Sequence, residues 1–594
     1  MCGIVGLVNG HAVAADLVTA LGRLEYRGYD SAGIAVAGPG FAVQKVAGRA
    51  AGLSAGLDDS FAGQAGIAHT RWATHGRAET RNAHPHVHDG IAVVHNGIIE
   101  NHAELRQHLI AEGHSFASDT DSEVIPHLIA VARAHGAAPV AAVRETCAQL
   151  HGAYAIAVLF EDAPDHLVVA RQGSPVMVAR GEGTSAVASD PTALAGFCHE
   201  FAALEDGDIA DLTRDGVTIA NRAGSLANRD WQVVTEAEEA AALAGFHTYT
   251  RAEIAAQPAA LVRTDTGLDN RTLTPSVAAA ERLVVVACGS SLYAASTARA
   301  WIEELSGVPC DLEIASEFRT RNAPLSRNTV AILVSQSGET ADTLAVQQMF
   351  RAKDIPCVAV VNVAHSQMAR DAELVWPTRA GRELGVAATK SFTCQLLALV
   401  RFGLALGEAR GTVSPEQRAH IEMEIATLPA ICTETELLEP QLKAVAQRIA
   451  YENEAMFIGR GPAAAIAAEG ALKLKELSYI RAEAYAAGEL KHGPIALIRE
   501  NSPVVVCGGE HADKTLSNSE EVRSRGAAII SLIGAADAPR FAAISAETVV
   551  LPGHGLSLIF AQAVAVQLIS VHAAEALGCD VDRPRNLAKS VTVE

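Results

Sequence analysis

The sequence predicts an α+β unit with largely antiparallel sheets, followed by two parallel α/β units that are copies of one another. Three observations carry this. Over residues 1 to about 235, short apolar runs alternate with helical segments, and several runs are separated only by turns, which favours antiparallel pairing. In the second half Arg282–Leu305 (RLVVVACGSSLYAASTARAWIEEL) and Ala455–Leu477 (AMFIGRGPAAAIAAEGALKLKEL) share one plan of strand, Gly-containing turn and helix. Aligning Gly289 with Gly461 gives an offset of 172 residues, and later strands follow at about that offset, as a duplication requires. Each copy alternates buried strands with helices, the pattern of a parallel sheet covered on both faces.

In chain order, strands are expected at Ile4–Val8, Ile34–Val36, Ile91–Val94, Ala155–Phe160 and His166–Ala170. Helices are expected at Ala14–Leu24, Glu104–Glu112 and Glu123–His135. The first unit spans 2–235. An acidic, alanine-rich stretch (Glu236, Glu238, Glu239) reads as a linker over 236–250 with some helix. The copies follow at 251–425 and 426–579, and a tail occupies 580–594. The apolar stretch Leu556–Leu577 is broken by Gln562, Gln567, His572 and Glu575, so it reads as a buried or interface helix and not a membrane span.

Composition narrows the function. At 594 residues, and about 150 per domain, three or four domains are expected. Apolar residues make up 49% and charged residues 19%, which is globular material. The net charge of −21 argues against a nucleic-acid partner, whose binding needs clustered Lys and Arg. Ten scattered cysteines without a Cys-x-x-Cys pair imply a reducing compartment and neither a zinc ribbon nor a redox pair. No basic, then apolar, leader is seen, so a cytoplasmic location is expected.

The chain opens Met1-Cys2-Gly3-Ile4-Val5-Gly6. Once Met1 is removed, Cys2 carries a nucleophilic thiol and a free α-amine on one carbon. Such an amine titrates at about 7.7–8.0 and can take the thiol proton. Four more segments stand out: Arg27–Gly33 (RGYDSAG), His69–Gly76 (HTRWATHG), His95–Asn101 (HNGIIEN) and Ser118–Asp121 (SDTD). With the N-terminus they resemble the glutaminase domain of the N-terminal-nucleophile amidotransferases. That resemblance implies a four-layer αββα sandwich and a glutamine pocket. Arg71 would pair with the substrate carboxylate and Asp121 with its ammonium, with Thr74 and His75 lining the pocket. Asn96 and Gly97 would supply the oxyanion donors, and Trp72 would gate an ammonia passage. Asn96-Gly97 is also an ordinary hairpin-turn signal. His84, His86 and His88 alternate like a metal triplet on one strand face. No carboxylate or cysteine set completes it and the resembling family needs no metal, so none is expected.

In the second unit Ser335-Gln336-Ser337-Gly338-Glu339-Thr340 follows an apolar strand and precedes a helix. Hydroxyls and free N–H groups converge there, where a helix N-terminus favours a phosphate; Ser337 also reads as a helix cap. Gly289-Ser290-Ser291 ends the preceding strand and should open on the same crevice. No Gly-x-x-x-x-Gly-Lys-Ser/Thr loop is present, which argues against ATP use. Glu469, Lys473 and Glu476 share one helix face, in the bland reading as solvated ion pairs. These segments resemble a pair of sugar-isomerase domains, with Gly385–Lys390 (GVAATK) as a second sugar-binding segment, where Ala388 replaces the usual Ser and the Val386 backbone can still contribute.

Together with Tyr485–Pro494 (YAAGELKHGP) and Pro584–Glu594 (PRNLAKSVTVE), the whole order resembles the glucosamine-6-phosphate synthase family. The resemblance implies glutamine and fructose 6-phosphate as substrates, no cofactor, and a homodimer. His492, shared across the dimer interface, would open the sugar ring. Lys589 would form a Schiff base at C2, Glu476 would move a proton between C1 and C2, and Lys473 would assist. Ser291, Ser335, Gln336, Ser337, Thr340, Val386 and Ala588 would bind the sugar phosphate, the last from a tail closing over the site. Ammonia made at the first site would reach the second by a sealed passage. Three other readings have weaker support. A different glutamine amidotransferase would share the first half only. A phosphosugar-binding regulator would not need Cys2, Arg71, Asn96 and Asp121 together. A deglycase-like enzyme would not need the glutaminase set.

Overall fold

The structure, a computed structural model, describes residues 2–591 except 39, 74, 195, 234–242, 244 and 270. It forms two compact units, residues 1–241 with 588–594, and residues 242–587. Most of the expected linker, and Thr74, lie outside the described residues.

The first unit is built on strands β1 (Gly3–Val8), β2 (Ala65–Arg71), β3 (His86–His88), β4 (Ile91–Ile99), β5 (Gly152–Phe160) and β6 (Thr184–Ala188), with helices α1 (Ala14–Gly22), α2 (His102–Ala111), α3 (Val124–Ala134) and α4 (Pro139–Cys147). β1 lies inside an eight-stranded sheet, antiparallel to both β2 and β6. β4 lies in a six-stranded sheet, antiparallel to β3 and β5. The period-2 alternation of a strand decides the layers. Ile4 and Val8 point to the other sheet, packing with Val94, Ala155 and Leu159. Val5 and Leu7 point the other way, to Leu17 and Leu21 of α1. Ile156 and Val158 of β5 face Ile125 and Ile129 of α3. The result is the expected αββα sandwich.

The Asn96-Gly97 pair is not a hairpin turn. It sits within β4, opposite Ala155 and Tyr154 of β5. Gly97 holds φ at +135°, and a Cβ there would stand 1.9 Å from the Ala153 carbonyl oxygen, so only glycine fits.

The second unit holds two five-stranded parallel sheets. One contains β7 (Arg282–Ala287), β8 (Cys310–Ile314), β9 (Thr329–Ser335), β10 (Cys357–Val361) and β11 (Leu374–Pro377), in the order β8-β7-β9-β10-β11. The other contains β12 (Glu454–Gly459), β13 (Arg481–Ala486), β14 (Pro503–Cys507), β15 (Ala528–Gly534) and β16 (Glu547–Leu551), in the order β13-β12-β14-β15-β16. The shared order and the 172-residue step from Arg282 to Glu454 establish the duplication.

Its principal helices are α5 (Tyr249–Ala255), α6 (Gly289–Ser306), α7 (Ala341–Arg351), α8 (Lys390–Arg410), α9 (Pro415–Glu436), α10 (Glu439–Glu452), α11 (Pro462–Ser478) and α12 (Gly555–Ala576). One core joins both copies, drawing Ile302 from α6, Phe402 from α8, Leu428 from α9, Leu474 from α11 and Phe560 from α12. α12 is the long apolar stretch, and it is a core helix. Its glutamines bond inside the protein, although Gln562 Oε1 is buried without a partner. Gln562 Nε2 donates to the Leu532 carbonyl at 3.0 Å, and Gln567 Oε1 accepts from Gln257 Nε2 at 2.9 Å. A boundary between 425 and 426 would cut α9, which runs unbroken from Pro415 to Glu436. The first break in helix after it is at Leu437–Leu438.

Candidate active site

β1 and β2 are adjacent, and this register brings the N-terminal cysteine to the segment after Arg71. The Trp72 N–H donates to Cys2 Sγ at 3.2 Å. Arg27 Nε and Asn96 Nδ2 both donate to the Cys2 carbonyl, at 3.2 and 3.1 Å. Asn96 Nδ2 also donates to Ser189 Oγ at 2.8 Å, and Ser189 Oγ accepts from the Ile4 N–H at 2.9 Å. Burial pushes the Cys2 thiol up, against the Trp72 N–H and the Arg71 guanidinium. A thiol held protonated this way needs a base at its side before it can attack.

His69 sets the Asn96 amide. Its Nε2 lies 2.9 Å from the His95 carbonyl, which can only accept, so Nε2 carries the proton and is also shared with Asn96 Oδ1 at 3.0 Å. That leaves Nδ2 of Asn96 turned to Cys2. Burial holds the His69 imidazole neutral, with its pKa brought down to about 3.

Arg71 is buried at the end of β2. Its guanidinium donates to the carbonyls of His75, Gly76 (3.1 Å) and Arg77 (3.2 Å), so here it shapes the pocket loop. Asp121 is 3% exposed and accepts from the Ile99 N–H at 2.8 Å. The His75 ring stands 5.1 Å from that of His102, and Trp72 meets Tyr29 edge-on at 6.2 Å. Sequence reasoning did not assign Ser189 or His69 a place here. Ser189 lies alone in the sequence with no motif around it. His69 sits in a quoted segment, but its role depends on the pairing of distant strands.

The alternating histidines part company. The His84 ring meets His86 at 4.6 Å and His69 at 4.2 Å, and burial keeps all three below the usual histidine range. His88 stacks instead on His127, at 3.6 Å.

In the second unit the strand order places β7 beside β9, at the switch point where a parallel sheet opens to ligands. The residues after both strands meet there. Gly289–Ser291 is the first turn of α6, not a free turn. Ser335 Oγ lies 2.9 Å from Thr340 Oγ1 and accepts from the Gly338 N–H at 3.0 Å; Ser337 Oγ accepts from the Glu339 N–H at 3.1 Å. Thr340, not Ser337, is the N-cap of α7, and its hydroxyl makes no capping bond. The first N–H groups of α7 are thus left for an anion. The Gln336 carbonyl accepts from the Asn362 N–H at 3.1 Å, which fixes the loop to the next strand. Gly338 has φ +66°, and a Cβ there would meet Ser366 Oγ at 2.0 Å.

α11 packs against α6. Its Glu469 and Lys473 are fully buried (0% and 1% side-chain exposure), and Glu476 is 21% exposed, so they are not solvated surface pairs. Lys473 Nζ hydrogen-bonds Glu476 and lies 3.7 Å from Glu469. Burial lifts Glu469 to about 7, against the pull of Lys473. Burial would lower the Lys473 pKa, but Glu476 and Glu469 raise it instead. Tyr293 of α6 shares this environment; burial and the two carboxylates raise its phenol.

The Val386 N–H is spent on the Asp582 carbonyl at 3.1 Å, leaving only its carbonyl for a ligand. His492 ends a short 3-10 turn and is exposed. Ala588 and Lys589 group with the first unit, whereas the tail through Leu587 belongs to the second.

A glutamine amidotransferase domain model matches residues 69–196, and a SIS domain model matches residues 276–405 and 448–574. Over 610 aligned residues covering all of both chains, the protein is 43% identical to the glutamine–fructose-6-phosphate aminotransferase [isomerizing] of Brucella suis. It is likewise 43% identical, over 608 residues covering all of both, to the enzyme of that name from Mesorhizobium japonicum. The solved C-terminal domain of glucosamine-fructose-6-phosphate aminotransferase from Francisella tularensis aligns with a TM-score of 0.56 and 36% identity, covering 58% of this chain and 99% of that one.

Proposed function

This chain belongs to the isomerizing glutamine–fructose-6-phosphate aminotransferase family, and from that premise we propose how its residues divide the reaction. It converts glutamine and fructose 6-phosphate to glutamate and glucosamine 6-phosphate. The observation that carries the residue assignment is the convergence of Cys2, Asn96 and the Trp72 N–H at the end of β1.

With Met1 removed, the Cys2 α-amine takes the thiol proton and Sγ attacks the glutamine side-chain carbonyl. Asn96 Nδ2 and the Gly97 N–H receive the negative oxygen of the tetrahedral intermediate; to do so, one Asn96 proton turns from Ser189 or the Cys2 carbonyl. As the intermediate collapses, the α-ammonium gives its proton to the leaving nitrogen, the C–N bond breaks to release ammonia, and a thioester is left, which water hydrolyses to glutamate. Asp121 holds the substrate ammonium. Arg71, with His75, meets the carboxylate. Trp72 gates the ammonia, which stays unprotonated by avoiding bulk water.

In the second unit Ser291, Ser335, Gln336, Ser337 and Thr340 anchor the sugar phosphate at the start of α7. His492, from the other subunit of a homodimer, exchanges a proton to open the ring. The Lys589 amine condenses with the C2 ketone and expels water. Ammonia then displaces the lysine, leaving an imine at C2. Glu476, hydrogen-bonded to Lys473, takes a proton from C1 and returns one to C2, which gives the amino aldehyde. Ala588 and the Val386 carbonyl complete the contacts when the tail lies over the sugar.

The test is product formation from glutamine plus fructose 6-phosphate without added nucleotide, alongside mass determination of the N-terminus. Wild type with Met1 removed is expected to make glucosamine 6-phosphate, and Cys2→Ala to lose this with glutamine while keeping it with ammonia. Full activity in a protein that retains Met1 would overturn the role of the α-amine. Glutamine hydrolysis is expected to speed up when fructose 6-phosphate is present.

A further inference from the structure

The reaction uses none of His88, His114 and His127, yet one ring nitrogen from each lies within 4.8 Å of the other two. They come from three separate places, namely the end of β3, the loop after α2, and the middle of α3. His88 Nε2 is 3.3 Å from His114 Nδ1, and His114 Nδ1 is 3.0 Å from His127 Nδ1. We propose that these three histidines form a binding site for one divalent transition-metal ion of the Zn2+ class.

Three arguments support it. First, two nitrogens at zinc-bond length around a tetrahedral ion stand about 3.3 Å apart, close to the 3.3 and 3.0 Å that separate His114 Nδ1 from its two neighbours. Second, an imidazole nitrogen has one in-plane lone pair or one proton. His114 Nδ1 faces two nitrogens and cannot hydrogen-bond well to both, whereas a cation accepts a lone pair from all three. Third, the ring of His127 is buried with a carboxylate behind it, at ion-pair range and beyond hydrogen-bond length. It is 1% exposed, Phe116 packs on it at 4.3 Å, and its far nitrogen, Nε2, lies 4.0 Å from Glu123 Oε1. Glu123 is itself held by the Ala117 and Ser118 N–H groups, both at 2.7 Å, and by Ser118 Oγ at 2.6 Å. A carboxylate behind the far nitrogen of a ligating histidine fixes its tautomer and raises its basicity.

The donor set selects the ion. Three imidazoles without a ring of oxygens suit zinc, nickel or copper and not magnesium or calcium. The His88 side chain is 21% exposed, and Asp89 Oδ2 stands 3.4 Å from its Nε2, so a fourth position is open to water or to that carboxylate. His114 and His127 bracket the segment that carries Asp121. A bound ion would therefore tie both ends of a pocket-forming loop to β3.

The experiment uses the full chain carrying Cys2→Ala, so that the nucleophilic thiol cannot compete, stripped with chelator and titrated with Co2+ and then Zn2+. One Co2+ per chain is expected, with the intense visible absorption of a tetrahedral nitrogen-rich site, displaced by one Zn2+. His88→Gln and His114→Gln should each weaken binding about 100-fold or more, and Glu123→Gln about 10–100-fold. Melting curves without metal should match the parent for His88→Gln and His114→Gln, and only the parent should gain thermal stability from Zn2+. Less than stoichiometric uptake by the parent, or unchanged uptake by the His88→Gln/His114→Gln double variant, would overturn the site. Should one variant fail to fold, the other decides.

Discussion

His69 Nε2 lies 3.0 Å from Asn96 Oδ1, and this contact decides which end of the Asn96 amide meets the nucleophile. Reversing the amide would turn an oxygen toward the Cys2 carbonyl and, on the proposed roles, leave the oxyanion only the Gly97 N–H. Asn96→Ala is therefore expected to cut kcat for glutamine hydrolysis about 100- to 1,000-fold. His69→Ala should give a smaller loss, also in kcat. Steady-state glutaminase assays check both, and a change confined to KM would contradict the assignment.

The phosphate loop turns on Gly338. Both its positive φ and the 2.0 Å approach to Ser366 Oγ exclude a side chain. Gly338→Ala should raise KM for fructose 6-phosphate about tenfold or more while leaving glutamine hydrolysis measured without sugar intact. Equal loss of both activities would point to global unfolding.

Glu469 gives a pH signature. Its folded pKa, lifted to about 7 by burial, exceeds that of an exposed carboxylate, so the folded chain binds more protons between those values. The stability it contributes is full in acid and is lost as pH rises through 7. Denaturant titrations should show wild type losing ground to Glu469→Gln between about pH 4.5 and 7, the interval from the ordinary glutamate pKa upward. A difference independent of pH would show that Glu469 titrates normally.

Lys473 sits between two carboxylates with almost no solvent. Lys473→Met leaves those charges without their counter-ion, an arrangement that typically costs about 3–5 kcal/mol. The triple change with Glu469→Gln and Glu476→Gln should recover much of that stability while remaining inactive on sugar. Chemical denaturation measures the first effect, and product assays the second.

Asp582 ties the tail to the start of α5. Its carboxylate accepts from the Tyr249 and Thr250 N–H groups, at 2.9 and 2.7 Å, and from Thr250 Oγ1 at 2.8 Å. Asp582→Ala should cost about 1–2 kcal/mol, as loss of a helix-end acceptor does. Because the Asp582 carbonyl also takes the Val386 N–H, sugar turnover should fall with it.

Much of the chain was legible in its residues. β1, α1 and the duplicated strands follow from apolar periodicity, which is encoded within a few residues. The chemistry proposed for Cys2, Arg71, Asn96 and the Ser335–Thr340 loop rests on short contiguous segments, which motif and resemblance can reach directly. Asn96-Gly97 shows where that reading stops. Its turn propensity is local and real, but pairing with Ala155 and Tyr154 holds it extended within β4.

What the tertiary structure alone decided are the meetings between residues far apart in sequence. His84, His86 and His88 look alike on the page, but one pair is buried beside His69 while His88 joins His114 and His127. Glu469 and Lys473 read as a surface pattern until α6 covers them, and Asp582 reads as a tail residue until α5 supplies its donors. Spacing along a chain specifies period and local geometry. Which side chains converge, and in what dielectric, depends on strand register and helix packing, which are settled by contacts hundreds of residues apart.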